Sequence, residues 1–316
     1  MNRIVLYTAA GLAITALALL AAIMTGSSGF GWPDDPVAWR IALELRLPRA
    51  VAALVTGGLL ALAGVLMQVL LRNPLADPYI LGLSGGSAAF VLGGMSLGLA
   101  FVPTELLAFA GALFSMLVVF VLGRGEGPWS TTRLLLTGVV VAAGWGALIS
   151  LMLALGDDAS LKGMLFWLMG DLGYSALSPW WLLGLAALTG LLMLRARSLN
   201  VLAAGETQAA LLGESPRARN IELYLAASLL TALAVAIAGT VGFVGLIVPH
   251  LVRLVVGADH RRLLPCAMLF GGTFLLLADT LARTVIAPRQ LPVGVLTAII
   301  GVPLFLLLLR RAGGLR

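Results

Sequence analysis

Residues 4–24 read IVLYTAAGLAITALALLAAIM, twenty-one consecutive positions without a charge. About 20 residues of α-helix cross the hydrocarbon core of a bilayer. Apolar side chains fall on every face of this run, and the same holds for Leu296 to Leu309. A transmembrane β-strand would alternate apolar and polar positions because its lumen is wet. The pattern therefore specifies membrane-spanning helices.

The rest of the chain extends that reading. Of 316 residues, 60% are apolar and 11% are charged, against roughly 45–50% and about 25% in a soluble domain. So little polar surface cannot coat a water-soluble core. Allowing about 30 residues per crossing with its connection, the length accommodates about ten helices and leaves no room for a large soluble domain. Apolar runs lie near 4–24, 51–71, 79–99, 103–123, 133–155, 178–194, 223–240, 241–257, 264–286 and 292–309. An all-α polytopic membrane protein with a single transmembrane domain over residues 1–316 follows.

The net charge of +6 comes from basic residues dispersed between the runs. A nucleic-acid surface would gather them into one patch. With the N-terminus inside, fourteen of the twenty basic residues fall on inner segments and six on outer ones. The positive-inside rule thus favours both termini in the cytoplasm. A cleaved signal peptide is the competing reading of residues 1–24, but the run exceeds a usual signal core.

Two stretches interrupt the apolar pattern: Gly82 to Ser87, and Gly239, Gly242, Gly245 and Pro249. Each is open to two readings, close helix packing or a helix broken at membrane depth. Three connections carry further content. Residues 25–50 are an outer segment, Trp32, Pro33, Asp34 and Asp35 followed by a short amphipathic stretch ending in Arg46-Leu-Pro-Arg49. Residues 156–177 form an outer loop in which Phe166 to Met169 suit an interfacial turn. Residues 195–222 are the longest inner loop, with leucines among polar neighbours that predict one or two short helices and a docking role.

Chemical machinery is sparse. A P-loop needs a lysine followed by Ser or Thr to neutralise phosphates, and the sole lysine, Lys162, is followed by Gly163. His250 and His260 stand ten apart with no metal-binding spacing, which suits headgroup or packing histidines. Cys266 is the only cysteine and reads as a core thiol. No Ser/His or paired-aspartate constellation suits an intramembrane hydrolase, and no cofactor is implied. Intramembrane charge is costly and marks candidate function. Asp279 and Arg283, four apart on one helical face, can pair. They serve either a proton-coupled carrier or a structural ion pair. Gln68 is the other intramembrane polar residue, suited to an interhelical hydrogen bond. Arg46 and Arg49, three apart, are expected to face one way on the outer surface, toward headgroups or an acidic partner.

Several strings go beyond composition: Arg46-Leu-Pro-Arg49, Ala63 to Gln68, Arg72-Asn-Pro-Leu-Ala-Asp-Pro-Tyr continuing to Gly86, Gly242 to His250, Asp259 to Pro265, Asp279-Thr-Leu-Ala-Arg283 and Leu291-Pro-Val-Gly294. In order and spacing, they resemble the FecCD-type permeases, the membrane subunits of type II ABC importers for iron-siderophores, haem and cobalamin. The resemblance implies a ten-helix subunit of the bacterial inner membrane in which helices two to five and seven to ten form an inverted repeat. It also implies a homodimer or a pair with a similar subunit, a cytoplasmic ABC ATPase dimer, and a periplasmic or lipid-anchored substrate-binding protein. By the same resemblance, Arg46, Arg49 and Arg283 receive glutamates of that binding protein. The segment Leu199 to Asn220, including Leu212, Gly213 and Glu214, couples to the ATPase. One departure is Gln290 before Leu291-Pro292, where the family often has Glu. A proton-coupled secondary transporter using Asp279 and Arg283 is the alternative; such a carrier needs no docking helices at residues 195–222.

Overall fold

In a computed structural model, residues 3–26, 29–99, 101–124, 130–156, 158–173 and 177–313 are described. Arg316, counted among the inner basic residues, lies outside them.

The helices, in chain order, are α1 (Arg3–Met24), α2 (Pro36–Ile41), α3 (Leu47–Leu70), α4 (Leu83–Ser96), α5 (Thr104–Arg124), α6 (Thr131–Leu155), α7 (Asp158–Leu168), α8 (Trp181–Leu194), α9 (Ala196–Ala203), α10 (Glu206–Leu211), α11 (Pro216–Ala238), α12 (Val244–Val256), α13 (His260–Thr284) and α14 (Val293–Gly313). Ten of these, α1, α3 to α6, α8 and α11 to α14, follow the ten expected apolar runs in order. Among the described residues seven helices are long and apolar enough to cross a bilayer, or eight if α8 and α9, bent by 56°, are taken as one. Helices α4 and α12, at 14 and 13 residues, are shortened where the glycine-rich stretches begin them.

The expected boundaries shift at two other places. The segment before the second run is itself helical from Pro36, so that α2, a π-turn over Ala42–Arg46 and α3 form one rod of 35 residues. Asp35 caps its start by accepting from Ala38 N at 2.6 Å. Pro48 cannot donate to the preceding turn and its ring crowds the carbonyl there, and the helix widens into the π-turn just before it. Phe166 to Leu168, expected as part of an interfacial turn, are instead the last residues of α7. Helix formers such as Leu161, Met164 and Leu165 carry the helix through them.

Helix α3 is the axis of the core, buried at every position from Arg49 to Leu70. Helices α13, α11 and α12 pack around it. Backbones touch at the crossings. A Cβ on Gly57 would lie 2.2 Å from Gly271 O of α13, and one on Gly64 would lie 1.9 Å from Gly245 O of α12. At these two positions only glycine permits the approach. The stretch at 82–87 has the same use, since a Cβ on Gly86 would meet Gly111 O of α5 at 2.5 Å. By contrast α6 and α14 are mostly exposed, with Val139, Val140 and Leu151 on one and Ile299, Leu306 and Leu307 on the other turned outward.

Candidate functional site: the two ends of α3 and the broken span

At the first end of α3, Arg49 turns inward. Its Nε and Nη2 donate to both oxygens of Asp279 on α13, at 3.0 and 2.8 Å, and its Nη1 donates to Gln290 Oε1 at 2.7 Å. The side chains of Arg49 and Asp279 are 11% and 1% exposed. The expectation that Arg46 and Arg49 face outward together is corrected here: three apart, they lie near one face, but the buried Asp279 carboxylate captures Arg49 and the end of α1 captures Arg46. Arg283 does reach Asp279, as the spacing of four allows, but at 3.6 Å it is the looser partner. Sequence reading paired Asp279 with Arg283 and missed Arg49, because that contact spans 230 residues of chain.

The other two arginines clamp the end of α1. Arg46 Nη1 donates to Ile23 O at 2.8 Å and Arg283 Nη2 to Ala22 O at 2.6 Å. The last carbonyls of a helix lack partners within it, and cations are favoured there. Close by, Gly26 packs so tightly under Arg46 that a Cβ would sit 2.1 Å from its Nη2.

The glycine-rich junction between α11 and α12 both breaks the helix and packs tightly. Gly239, at φ +67°, and Phe243, at φ +70°, turn the chain where the apolar pattern fails. Freed backbone groups find partners in protein, as they must at membrane depth. Asp171 N donates to Ala238 O at 2.9 Å, Val293 N to Gly170 O at 3.0 Å, and Val241 N to the Tyr79 hydroxyl at 3.2 Å. Gln68 Nε2 donates to Leu246 O at 3.2 Å, joining α3 to α12. Above the break a cleft of about 1280 Å3 opens, lined by Lys162, Phe166, Trp167, Asp171, Arg289 and Gln290 among others.

At the second end of α3, the segment expected to be partly helical holds α9 and α10. Leu199 is buried in the core, whereas Leu212 is 71% exposed beside Gly213, which adopts φ +82° after α10. Asn200 binds α9 to α13: its Nδ2 donates to Asp259 Oδ1 at 2.8 Å and its Oδ1 accepts from His260 N at 2.9 Å. His260 is thus a buried packing residue. Glu214 accepts from Arg219 Nε at 3.0 Å, and Arg195 Nε reaches Glu222 at 2.9 Å. The Arg219 guanidinium holds the Glu214 carboxyl below its ordinary value. Hydrogen bonds from Asn200 and the Arg261 amide do the same for Asp259. Glu206, at the start of α10, pairs with Arg72 and also accepts from Asn220 Nδ2 at 3.1 Å.

The whole chain has relatives of known kind. It is 40% identical to the hemin transport system permease protein HmuU of Yersinia pestis, over 93% of this chain and 94% of that one. It is 36% identical to the vitamin B12 import system permease protein BtuC of Escherichia coli O157:H7, over 96% and 95%. Among solved structures, an inward-facing metal-chelate type ABC transporter superposes with a TM-score of 0.86 at 32% identity, covering 96% of this chain and 98% of that one. A family model described as the FecCD transport family matches residues 5–311, and the chain belongs to that family.

Proposed function

We propose that this chain is the permease subunit of an ATP-binding-cassette importer that moves a metal chelate across the bacterial inner membrane by alternating access. The observation that carries the reading is the end-to-end match, over residues 5–311, to a family whose members include permeases named for hemin and vitamin B12. One transmembrane domain over residues 1–316 has both termini in the cytoplasm. The α9–α10 segment, within about 195–222, then faces the cytoplasm and receives an ATPase dimer on Leu212, Gly213 and Glu214, with Leu199 anchoring it to the core. The Arg46 end faces the periplasm. There a periplasmic or lipid-anchored binding protein brings its carboxylates to Arg46, Arg49 and Arg283. Since Arg49 is engaged with Asp279, such a carboxylate must share or exchange that arginine. The exposed apolar faces of α6 and α14 are available to lipid and to a second copy in a homodimer.

Energy comes from outside the chain, because no lysine stands in a phosphate-binding loop. The alternative carrier would cycle protons on Asp279, yet Arg49 holds both oxygens of that carboxylate. Reconstitution separates the two. The permease in vesicles with a proton gradient should take up neither haemin nor cyanocobalamin, and uptake should require a co-purified ATPase and ATP. Gradient-driven uptake by the chain alone would overturn the importer reading.

A further inference from the structure

Helix α10 has two faces with different chemistry. Leu211 and Leu212 point outward, 83% and 71% exposed, and Ala209 is fully buried. On the inward side Glu206 binds two other elements through one carboxylate oxygen. Arg72, just past the end of α3, pairs with it, and so does Asn220, a buried residue near the start of α11. Arg72 adopts φ +48°, a left-handed conformation that residues with a Cβ rarely take. That turn ends α3, and from it the Arg72 side chain reaches α10. The neighbouring α9 is tied separately, through Asn200 to Asp259 and His260 at the start of α13. Glu206 is therefore the charged tie between α10 and α3, and its loss leaves the anchor of α9 in place.

We propose that Glu206 is a positioning residue that carries displacement of α10 into α3. A partner moving against Leu211 and Leu212 shifts α10, and the Glu206–Arg72 pair passes the shift to the end of α3, which is buried from Arg49 to Leu70. At the other end of α3, on the far side of the membrane in the importer reading, Arg49 pairs with Asp279 of α13. Coupling can be carried by chains of packed, hydrogen-bonded and ion-paired groups, and the Glu206–Arg72 pair is a direct charged link from α10 to the end of α3. The inference rests on the importer reading, in which the partner is the ATPase.

The test uses the complex isolated from native membranes through a tag on this chain, so that its own ATPase comes with it. Spin labels at Val37→Cys and Leu97→Cys, both exposed, report motion of the α2–α3 rod relative to α4. Wild type should show a distance change on addition of ATP and vanadate. Glu206→Ala should bind the ATPase and hydrolyse ATP within about twofold of wild type while the distance change falls at least tenfold. Glu206→Gln, which keeps the Asn220 bond and the volume but loses the charge, should show an intermediate loss. The exchange of Arg72→Glu with Glu206→Arg should recover at least half of the change, which a merely structural defect would not. A wild-type distance change in Glu206→Ala, or loss of the ATPase from that variant, overturns the proposal. A wild-type complex without any nucleotide response refutes the importer reading itself, and this proposal with it.

Discussion

The two ends of α3 use the same chemistry in opposite surroundings. At one end Arg49 and Asp279 are almost fully buried, and at the other Arg72 and Glu206 are 45% and 42% exposed. A buried pair forfeits hydration on both ions, so it persists only when each donor and acceptor is matched. Arg49 meets that demand with both Asp279 oxygens and Gln290. An exposed pair keeps its water, contributes little to stability and weakens in salt. One end behaves as a rivet between α3 and α13, and the other as an adjustable link. A transporter that must move at one face without coming apart at the other needs both.

The largest expected effect comes from breaking the rivet. Arg49→Ala leaves Asp279 with only the looser Arg283, a loss of about 3–5 kcal/mol for an unpaired buried charge. It should lower the melting temperature in detergent more than any other single change to these pairs. Removing both charges with Arg49→Met and Asp279→Leu should restore much of that loss. Equal melting of the single and double variants would show that the pair is not what holds the two helices.

Next in size is the backbone contact that lets α3 act as a rod. Gly64→Ala places a Cβ against Gly245 O at 1.9 Å, and overpacking of this kind costs about 1–3 kcal/mol. A melting temperature unchanged from wild type would mean that α12 yields, and that the broken span is softer than its packing indicates.

The adjustable end should respond to solution conditions. Folded-state pKa values of Glu214 and Asp259 are lowered. Each therefore contributes stability that is complete above the unfolded values of about 4 and is lost as pH falls through the lower folded values. Amide exchange in α9 and α10 should rise when pH drops from 5 toward 3, once corrected for the intrinsic rate. Asp259→Asn should remove part of that dependence. Raising salt should loosen the same segment while leaving α3 and α13 protected near Arg49. A uniform response at both ends would erase the distinction.

Smallest of all is the pair Arg40–Glu44 on α2 and the π-turn, whose side chains are 76% and 63% exposed at 3.4 Å. Exposed i, i+4 pairs contribute about 0.3–0.5 kcal/mol. Arg40→Ala should leave melting within measurement error, and a large shift would mean that this segment is tied to α3 by more than its helix.

Much of the architecture was legible before any coordinates. Apolar runs longer than a bilayer needs name their own helices, since the solvent, and not a partner, decides their burial. The strings at 46–49, 72–86, 242–250 and 279–283 named the family. The broken span was legible as an interruption, because glycine and proline act locally on the backbone. Helix α2 and the end of α7 were not: in both, short segments at a bilayer boundary mix helix formers with aromatic and charged residues, and neighbours decide the outcome. The cleft beside the break was equally hidden, since its lining comes from segments as distant as Lys162 and Gln290.

The sequence by itself determined that this is a multi-helix membrane protein, which runs enter the bilayer, and which family it belongs to, because hydropathy and ordered motifs are one-dimensional quantities. Only the tertiary structure decided that α3 is the buried axis, that Arg49 and not Arg283 is the close partner of Asp279, and that Glu206 joins α10 to Arg72. The two pairs join residues 230 and 134 positions apart, and the axis is buried by helices comparably far away in the chain. A charge in a sequence declares that it needs a partner, but helix packing in three dimensions selects which one.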